Sequence, residues 1–584
     1  MKKAFIYSVN AALLALIILP IYLVLINFGE IDRESIALTP DRLALSSEVY
    51  DRNGIKISEY GLERRYFVPI TQMPSILIEA FLSAEDKDFF NHKGISYPAI
   101  LRAVFANIFS MQIKQGGSTI TQQLARLLFL DRQRTWIRKS KEAQIAWLLE
   151  KKYSKGEILT YYLNAIYLGN GAYGVEAASR SYFRKSVQEL NLAEAAMLAG
   201  LPKAPSMLAP HKNYRAAKQR QAIVLQRMRE DNIISESRYQ QTLKQEIKVA
   251  KNAQPAATAP YFSDQIRNVL AQHFGLMNLS RKGYQIHTSL DSHLQQTINQ
   301  RLRSFKTAAE VQVAVAVLDA NSSEVLALQG GSGYQTTQFN RALATHRRSH
   351  QLLLPFMLAE LSDAYSYGVD RIDPLFRKFY QSVLQPQASN LQELVNGVGA
   401  GSMQKIFNAL EVDFDQAQSS LQFNLMQMAS AFAVFANQGV QRSPHYVKKI
   451  TSYDHKPLFQ HQGAAGKRLF SDRAAFIVSS LLRTYLRQHN LTGYTAVNSD
   501  KHDSWFVGYD AKHVYSIWVG AERGRVKLTG NPGLALFNHL FRDKLQLAPT
   551  TSRQDVAYVS MRLPIATDQS FAQNQSYVSL PVPL

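Results

Sequence analysis

The sequence predicts a multidomain fold in which an N-terminal transmembrane helix precedes an α-rich domain and then an α+β domain. The chain has 584 residues, several times the roughly 100–200 residues of a typical domain, so more than one core is expected. One long apolar run lies at the N-terminus, and the hydrophobic pattern changes from helical to β-rich near Tyr261. These observations set the order of the three parts.

The apolar run, Ala4 to Phe28, contains no charged residue. It is long enough to cross a hydrocarbon core of roughly 30 Å and longer than the roughly 7–15 apolar residues of a cleaved signal. Lys2 and Lys3 precede it, and positive charge stays on the cytoplasmic side of a membrane. We therefore expect residues 1–28 to be a cytoplasmic stub and an uncleaved anchor, with the rest of the chain exported.

The composition narrows the class of partner. The chain carries 66 Lys and Arg against 45 Asp and Glu, a formal charge of +21, which favours nucleic acid, phospholipid headgroups or phosphorylated substrates. It contains no cysteine, which excludes disulfides and thiolate metal sites. Charge alone does not choose among the anionic partners.

Local patterns then divide the exported part. Alternating runs around Asn53-Gly54 predict a hairpin, within a β-containing connector at 29–73. Helical periodicity and Gly or Pro breaks predict a helical domain at 74–210, a helical linker at 211–260, and an α+β domain at 261–545 with an extended tail at 546–584. The predicted helices are Ser75–Phe90, Pro98–Phe109, Thr121–Leu130, Thr135–Lys152, Lys155–Ala165 and Leu192–Leu201.

Three stretches of the helical domain carry ionisable or hydrogen-bonding chemistry: AEDKDFFNHKG at 84–94, GGSTITQQLARLLFL at 116–130 and RTWIRKSKEAQIAWLLEKKYSK at 134–155. Each has an ordinary structural interpretation by itself. The first reads as a helix end that stops at Gly94, the second as a Gly-rich turn before a helix, and Glu142 in the third as an i,i+4 partner of Arg138.

In this order and spacing, together with residues 155–183 and 192–206, the stretches resemble the peptidoglycan glycosyltransferase domain (family 51) of class A penicillin-binding proteins. The resemblance implies a lysozyme-like α-helical fold that polymerises lipid II into β-1,4 glycan strands. It also implies a bacterial cytoplasmic (inner) membrane location, single-pass, with the bulk periplasmic. Anionic partners then become lipid II, the lipid-linked glycan and the membrane, and nucleic acid is excluded.

The resemblance also assigns roles within the cleft. Glu85 corresponds to the base that takes the proton of the acceptor hydroxyl, and Glu142 to a second catalytic carboxylate and possible metal ligand at the leaving pyrophosphate. A divalent metal, Mg or Mn, is expected, and no organic cofactor. The substrate-binding candidates are Asp86, His92, Ser118, Thr119, Gln122, Gln123, Arg126, Arg134, Arg138, Lys139 and Lys141. Arg126 stands where the family usually has Lys, which keeps the charge but changes its shape.

The second half resembles the family's penicillin-binding transpeptidase domain, an α/β/α sandwich, but departs from it at the reactive positions. Pro355-Phe356 aligns with the Pro-Phe after the family's S-x-x-K, which places Gln351 at the nucleophile and Leu354 at its lysine. The K-T-G triad reads Leu491-Thr492-Gly493. An amide and an alkyl chain cannot perform acyl transfer, so these three are lost transpeptidase positions.

The sequence therefore predicts an exported glycosyltransferase with an inactive transpeptidase-like domain used for binding or regulation. A separate transpeptidase or other cell-wall proteins would then be partners. Two alternatives stay open: a non-catalytic scaffold or regulator of cell-wall synthesis, and a lysozyme-like hydrolase. The sequence leaves the partner proteins, the product length, the preferred metal and the oligomeric state undetermined.

Overall fold

The structure, a computed structural model, describes most of the chain after Ser35. The described residues are 35–61, 63–98, 117–130, 136–250, 258–308, 310–348, 350–364, 382–383, 398–409, 422–463, 465–486, 491–497, 501–521, 526–545, 556–562 and 577–583. The expected anchor at Ala4–Phe28 and the predicted helix Pro98–Phe109 lie outside these ranges, apart from Pro98. Among the described helices, none combines the length and the apolar character that a bilayer crossing requires.

The helical domain is built from helices that pack around one apolar core. Its described helices are α1 (Ser75–Glu85), α2 (Ile120–Phe129), α3 (Trp136–Lys152), α4 (Lys155–Ala165), α5 (Val175–Phe183), α6 (Leu192–Gly200), α7 (Tyr214–Glu230) and α8 (Glu236–Lys244).

Local hydrogen bonds explain where several of these helices begin. Helix α4 starts at its predicted residue because Ser154 and Glu157 form a capping box, in which each side chain accepts from the other's backbone amide. Thr119 and Gln122 form the same motif at the start of α2. Such motifs are readable from the sequence because all their partners lie within one turn.

Helix α7 extends this domain beyond its predicted boundary at 210. Its buried side chains Val224, Leu225 and Met228 belong to the same core as α1 and α6, and it packs against both helices. The first part of the segment predicted as a helical linker is thus structurally part of the helical domain.

The predicted hairpin consists of β1 (Ser47–Tyr50) and β2 (Lys56–Tyr60), and it joins a sheet built from distant parts of the chain. Strand β1 pairs in parallel with β3 (Gln285–Thr288), which pairs with β9 (Val447–Thr451) and then β10 (Pro457–Gln460). This shared sheet therefore links the connector to the second half of the molecule.

The second half is an α/β/α sandwich, as predicted. Its central antiparallel sheet has the order β12-β13-β14-β4-β5, and helices cover both faces. The remaining strands are β4 (Val311–Asp319), β5 (Val325–Gln329), β6 (Arg347–Arg348), β7 (Gln422–Phe423), β8 (Val440–Gln441), β11 (Lys467–Arg468), β12 (Thr492–Val497), β13 (Asp503–Tyr509), β14 (His513–Ala521), β15 (Val556–Arg562) and β16 (Tyr577–Pro583).

The described helices of this half pack on the two faces of the sheet or at its edges. They are α9 (Pro260–Phe274), α10 (Leu276–Leu279), α11 (Ser292–Ser304), α12 (Arg341–Ala344), α13 (Leu354–Ala364), α14 (Ala400–Ala409), α15 (Leu425–Ala436), α16 (Asp472–Leu486) and α17 (Pro532–Phe541). Within the tail predicted as extended, β15 and β16 pair as an antiparallel hairpin, and β16 lies against α16.

Candidate active site

Glu85 is the last residue of α1 and is half-buried in the helical domain. Its Oε2 accepts a hydrogen bond of 2.8 Å from Nε2 of Gln123 on α2. Burial raises the pKa of Glu85, while the hydrogen bond from Gln123 and the charges of Arg220, Arg227 and Arg126 oppose that rise. The result is a carboxylate held in place with a perturbed pKa, which is typical of a general base.

Helix α1 was predicted to run to Phe90, but it ends at Glu85 because Asp86 turns away to make tertiary contacts. Asp86 Oδ2 accepts from the backbone amide of Ile120 at 2.9 Å, at the start of α2. Its carboxylate also accepts from His92 Nε2 at 3.0 and 3.1 Å. His92 Nδ1 accepts from the amide of Gly94 at 3.2 Å, so the proton of this imidazole is on Nε2.

Gly94 connects the loop after Glu85 to two helices. Its φ of +88° lies in the left-handed region, and a Cβ there would meet the carbonyl of Ala146 on α3 at 3.0 Å. Its own carbonyl accepts from Thr119 Oγ1 at 2.6 Å. The side chains of Thr119 and Gln122 are buried, and their hydrogen bonds cap the start of α2. Both residues therefore stabilise the backbone around the site.

Gln123 is itself fixed by Tyr162, a residue that the sequence analysis did not single out. The Tyr162 hydroxyl donates to Gln123 Oε1 at 3.2 Å, which directs the amide nitrogen towards Glu85. Burial raises the pKa of Tyr162 well above its ordinary value, so the hydroxyl keeps the proton that it donates. Glu85, Gln123 and Tyr162 thus form a chain of three contacts across α1, α2 and α4.

The second carboxylate, Glu142 on α3, is 1% exposed and surrounded by cations. Its Oε1 accepts from Arg138 Nη1, and its Oε2 accepts from Lys139 Nζ at 2.8 Å. Lys139 Nζ also donates to Ser118 Oγ at 2.7 Å. These contacts bring the Gly-rich turn before α2 and the basic face of α3 together.

The electrostatics of Lys139 and Arg126 connect the two carboxylates. Burial, together with Arg126 and Arg138, lowers the pKa of Lys139 to about 8, although its contact with Glu142 acts in the opposite direction. Arg126 also acts on the pKa of Glu85, so this exposed guanidinium lies between the two halves of the site. Lys141 is half-buried on α3, and Arg134 lies outside the described residues.

Two arginines on α7 complete the site. Arg227 donates to the carbonyl of Ala84 at 2.6 Å, and Arg220 donates to the carbonyl of Gly200 at 3.4 Å; both act on Glu85. Their spacing of seven residues places them on one face of α7, which was the available sequence signal. The sequence analysis missed this signal because it interpreted residues 211–260 as a helical linker.

The described residues around Glu142 do not form a set of metal ligands. Both of its oxygens accept from cations, and among the residues that the structure describes no three carboxylate or histidine side chains are arranged so that they could hold a metal ion. Divalent metals prefer several oxygen ligands. The surroundings of Glu142 among the described residues therefore do not fit a bound metal ion, and no step of the mechanism is assigned to a metal.

The three predicted losses in the second half lie in or beside its core. Gln351 is half-buried in the 3-10 turn His350–Leu353, which lies against β12. Leu354, the first residue of α13, and Leu491, immediately before β12, are each 1% exposed and belong to the apolar cores on the two faces of the sheet. Ser349, the nearest hydroxyl in sequence, lies outside the described residues.

Comparison with known proteins identifies the family. Residues 53–229 match the transglycosylase family model, and residues 379–524 match the model of the penicillin binding protein transpeptidase domain. Penicillin-binding protein 2D of Bacillus subtilis is 30% identical over 533 residues, which span 82% of this chain and 77% of that protein. The chain belongs to the class A penicillin-binding proteins.

Other members and a solved structure agree with this assignment. Penicillin-binding protein 1B of Haemophilus influenzae is 30% identical over 554 residues, covering 84% of this chain and 71% of that protein. The crystal structure of penicillin-binding protein 1A from Haemophilus influenzae covers 92% of this chain and 97% of its own, with a TM-score of 0.55 and 18% identity, and it supports the fold. In this class A penicillin-binding protein, the transpeptidase match begins downstream of Gln351 and Leu354.

Proposed function

We propose that this chain polymerises lipid II into β-1,4 glycan strands with release of undecaprenyl pyrophosphate, and that its transpeptidase-like domain performs no acyl transfer. The observation that carries the proposal is the half-buried Glu85, oriented by Gln123 and influenced by Arg126, which also acts on Lys139 beside Glu142. Membership of the class A family and the transglycosylase match support it.

Glu85 acts as the general base. The 4-hydroxyl of the acceptor sugar becomes nucleophilic as its proton moves to the carboxylate, and this transfer is most efficient when the base has a pKa near the working pH. Burial shifts the pKa of Glu85 in that direction. The hydrogen bond from Gln123 engages Oε2, which leaves Oε1 to take the proton.

The cations around Glu142 stabilise the leaving group. Negative charge accumulates on the pyrophosphate in the transition state, and preorganised donors in a partly buried site stabilise it strongly. Lys139, Arg138 and Arg126 supply these charges, and Ser118 adds a hydroxyl. Glu142 holds Arg138 and Lys139 in position, since its carboxylate contacts both.

Metal dependence remains a prediction for this enzyme. A divalent ion would add positive charge at the pyrophosphate. Because both oxygens of Glu142 accept from cations, any such ion needs ligands other than Glu142 alone. Polymerisation measured after chelation and after readdition of Mg²⁺ or Mn²⁺ tests this point.

The second domain serves binding or regulation in this proposal. Acyl transfer requires a nucleophile and a group that activates it, and Gln351, Leu354 and Leu491 supply neither. The glycan strands would then be crosslinked by a separate transpeptidase. The enzyme acts at the outer face of the bacterial inner membrane, held there by the segment Ala4–Phe28.

Incubation of the purified full chain with lipid II and Mg²⁺ or Mn²⁺ tests the activity directly. Formation of long glycan strands is the expected result. No product at any metal concentration would indicate the scaffold alternative, and shortening of added glycan strands would indicate a lysozyme-like hydrolase. A phosphoglycolipid that imitates the lipid-linked donor should block polymerisation.

A further inference from the structure

A cavity of about 650 Å³ lies beside the shared sheet, and none of the candidate active-site residues line it. Its volume is within the roughly 300–1,000 Å³ of typical ligand pockets. The lining comes from four separated segments: 51–52 after β1, 287–288 in β3, 321–324 between β4 and β5, and 442–463 around β9 and β10. The cavity therefore exists only where the connector and the transpeptidase-like domain meet.

One of the two carboxylates in the cavity is engaged by cations of the lining. Glu324 is 9% exposed. Its Oε1 pairs with Lys448 Nζ at 2.9 Å, and its Oε2 lies 3.7 Å from Arg52 Nη2. Two cations and one anion thus leave a local surplus of positive charge.

The other carboxylate, Asp51, is engaged by its own turn. Its Oδ1 accepts from the amides of Asn53 and Ile55 at 2.8 and 2.7 Å, and its Oδ2 accepts from the hydroxyl of Ser292. With Asp51 1% exposed, little of this carboxylate faces the cavity.

Arg442 and Lys449 also line the cavity, and neither has a carboxylate partner among the described residues. Lys449 lies opposite His287 in the pairing of β3 with β9. The lining therefore presents two unneutralised cations, one of which is a guanidinium that can bind an oxyanion through two parallel hydrogen bonds.

A pair of histidines adds polar nitrogens that have no partner. The rings of His445 and His461 stack with centroids 3.7 Å apart and planes 16° from parallel. Nδ1 of His445 and Nε2 of His461 are both buried and make no hydrogen bond. Both side chains line the cavity, but these two nitrogens have almost no exposed surface, so any hydrogen bond to a ligand has to come from the other ring nitrogen of each histidine.

We infer that this cavity binds a small polyanion that carries carboxylate or phosphate groups. Arg442 and Lys449 supply the charge, and the stacked rings of His445 and His461 form part of the same wall. A bound anion would contact the connector, β9 and the β4–β5 turn together, and it would stabilise the shared sheet. This is a binding function for the half of the molecule that lacks transpeptidase residues, and it does not depend on glycan synthesis.

His445 gives the binding a pH dependence. Burial, and then the neighbouring ring of His461, lower the pKa of His445. The groups that face the pair from the surrounding elements are Asp51, Arg52, His287, Glu324, Arg442, Lys448 and Lys449. A bound anion favours the protonated form of His445 and raises its pKa, so by linkage the affinity rises as the pH falls towards the lowered pKa that this residue has in the free protein.

Carbethoxylation of histidines by diethylpyrocarbonate, read by mass spectrometry of the full chain, tests the site. Pyrophosphate and citrate are the phosphate and carboxylate probes, with chloride at equal ionic strength as the control for screening. Either probe should slow the modification of His445 and His461, while exposed His273 on α9 serves as the internal reference. Protection by one probe identifies the preferred chemistry, and protection by neither refutes the inference.

A matched pair of charge reversals distinguishes specific binding in the cavity from non-specific attraction of anions to a basic protein. Lys449→Glu changes a cavity residue, and Lys467→Glu makes the same change at an exposed position of β11 outside the cavity. We expect Lys449→Glu to lower the affinity for the protecting probe about tenfold or more, which equals about 1.4 kcal/mol. Lys467→Glu should leave the probe concentration for half-maximal protection unchanged. Equal loss of probe affinity in both variants would overturn the inference.

Discussion

The Glu85 site of the helical domain and the turn at Gln351 in the second domain each lie at a helix end, but the two differ in polarity. In the cleft, the helix end carries Glu85, and neighbouring helices contribute Gln123 and Arg227 to hold and tune it. In the second domain, the corresponding turn carries Gln351, followed by Leu354 in an apolar core. The two turns therefore differ in what surrounds them: ionisable and hydrogen-bonding groups in one, and an apolar core in the other.

The largest expected contrast is with β-lactams. Because Gln351 and Leu354 supply neither a nucleophile nor an activating cation, the wild-type chain should form no covalent adduct with a fluorescent penicillin under conditions that label an active homologue. Gel fluorescence and intact-mass measurement check this. Polymerisation should continue in the same samples.

Gln351→Ser sharpens this prediction. An isolated serine without a neighbouring base is a poor nucleophile, so this variant should remain unlabelled. A stoichiometric adduct on the wild-type chain within residues 261–545 would contradict the inactive assignment and would direct attention to Ser349.

Glu85→Gln should lower the rate of polymerisation by roughly 10²–10⁴-fold, the usual contribution of a general base. The amide keeps the shape and can still accept the hydrogen bond from Gln123, but it cannot take the proton. Glu79→Gln, the same change on the same helix, is the control and should be nearly neutral. A loss of less than about tenfold would remove Glu85 from this role.

Leu354→Lys should lower the stability of the second domain by about 2–4 kcal/mol, since an unpaired charge enters an apolar core. Thermal unfolding of the full chain, with proteolysis to follow the second domain, measures the loss. Leu354→Met, which conserves volume, should cost less than about 1.5 kcal/mol. Equal stability of the two variants would mean that a polar pocket survives beside Gln351.

The pH dependence of polymerisation gives the smallest expected effect. Since the pKa of Glu85 is raised above 4.5 by burial, the base is ionised above that raised value, and activity should fall as the pH drops through it. The acidic limb of kcat/KM should therefore lie above pH 4.5. Profiles of initial rate against pH, with fold checked at each point, locate this limb.

Gln123→Leu should move the acidic limb to higher pH, because the lost hydrogen bond had favoured the ionised carboxylate. Tyr162→Phe should shift it in the same direction but less, since it only releases the Gln123 amide. A purely structural role for Gln123 would lower kcat without moving the limb.

Local chemistry explains what could be predicted of the fold. Helix α4 was predicted with both ends correct because Ser154 and Glu157 lie within one turn of its start. The end of α1 was predicted five residues too late, because it depends on Asp86 reaching Ile120, which is 34 residues away. Long-range hydrogen bonds of this kind leave no periodic signal in the sequence.

The sequence by itself determined the candidate reactive groups: the motifs of the helical domain contain Glu85, Glu142 and the cations around it, and Gln351 and Leu354 stand at the positions aligned with the serine and lysine of the second domain. Only the tertiary structure decided how these groups are tuned, through Tyr162 on Gln123 and Arg220 and Arg227 near Glu85. It alone placed segments from four parts of the chain around one basic cavity. The physical reason is that side-chain chemistry is local, whereas burial and charge coupling depend on which distant residues pack together.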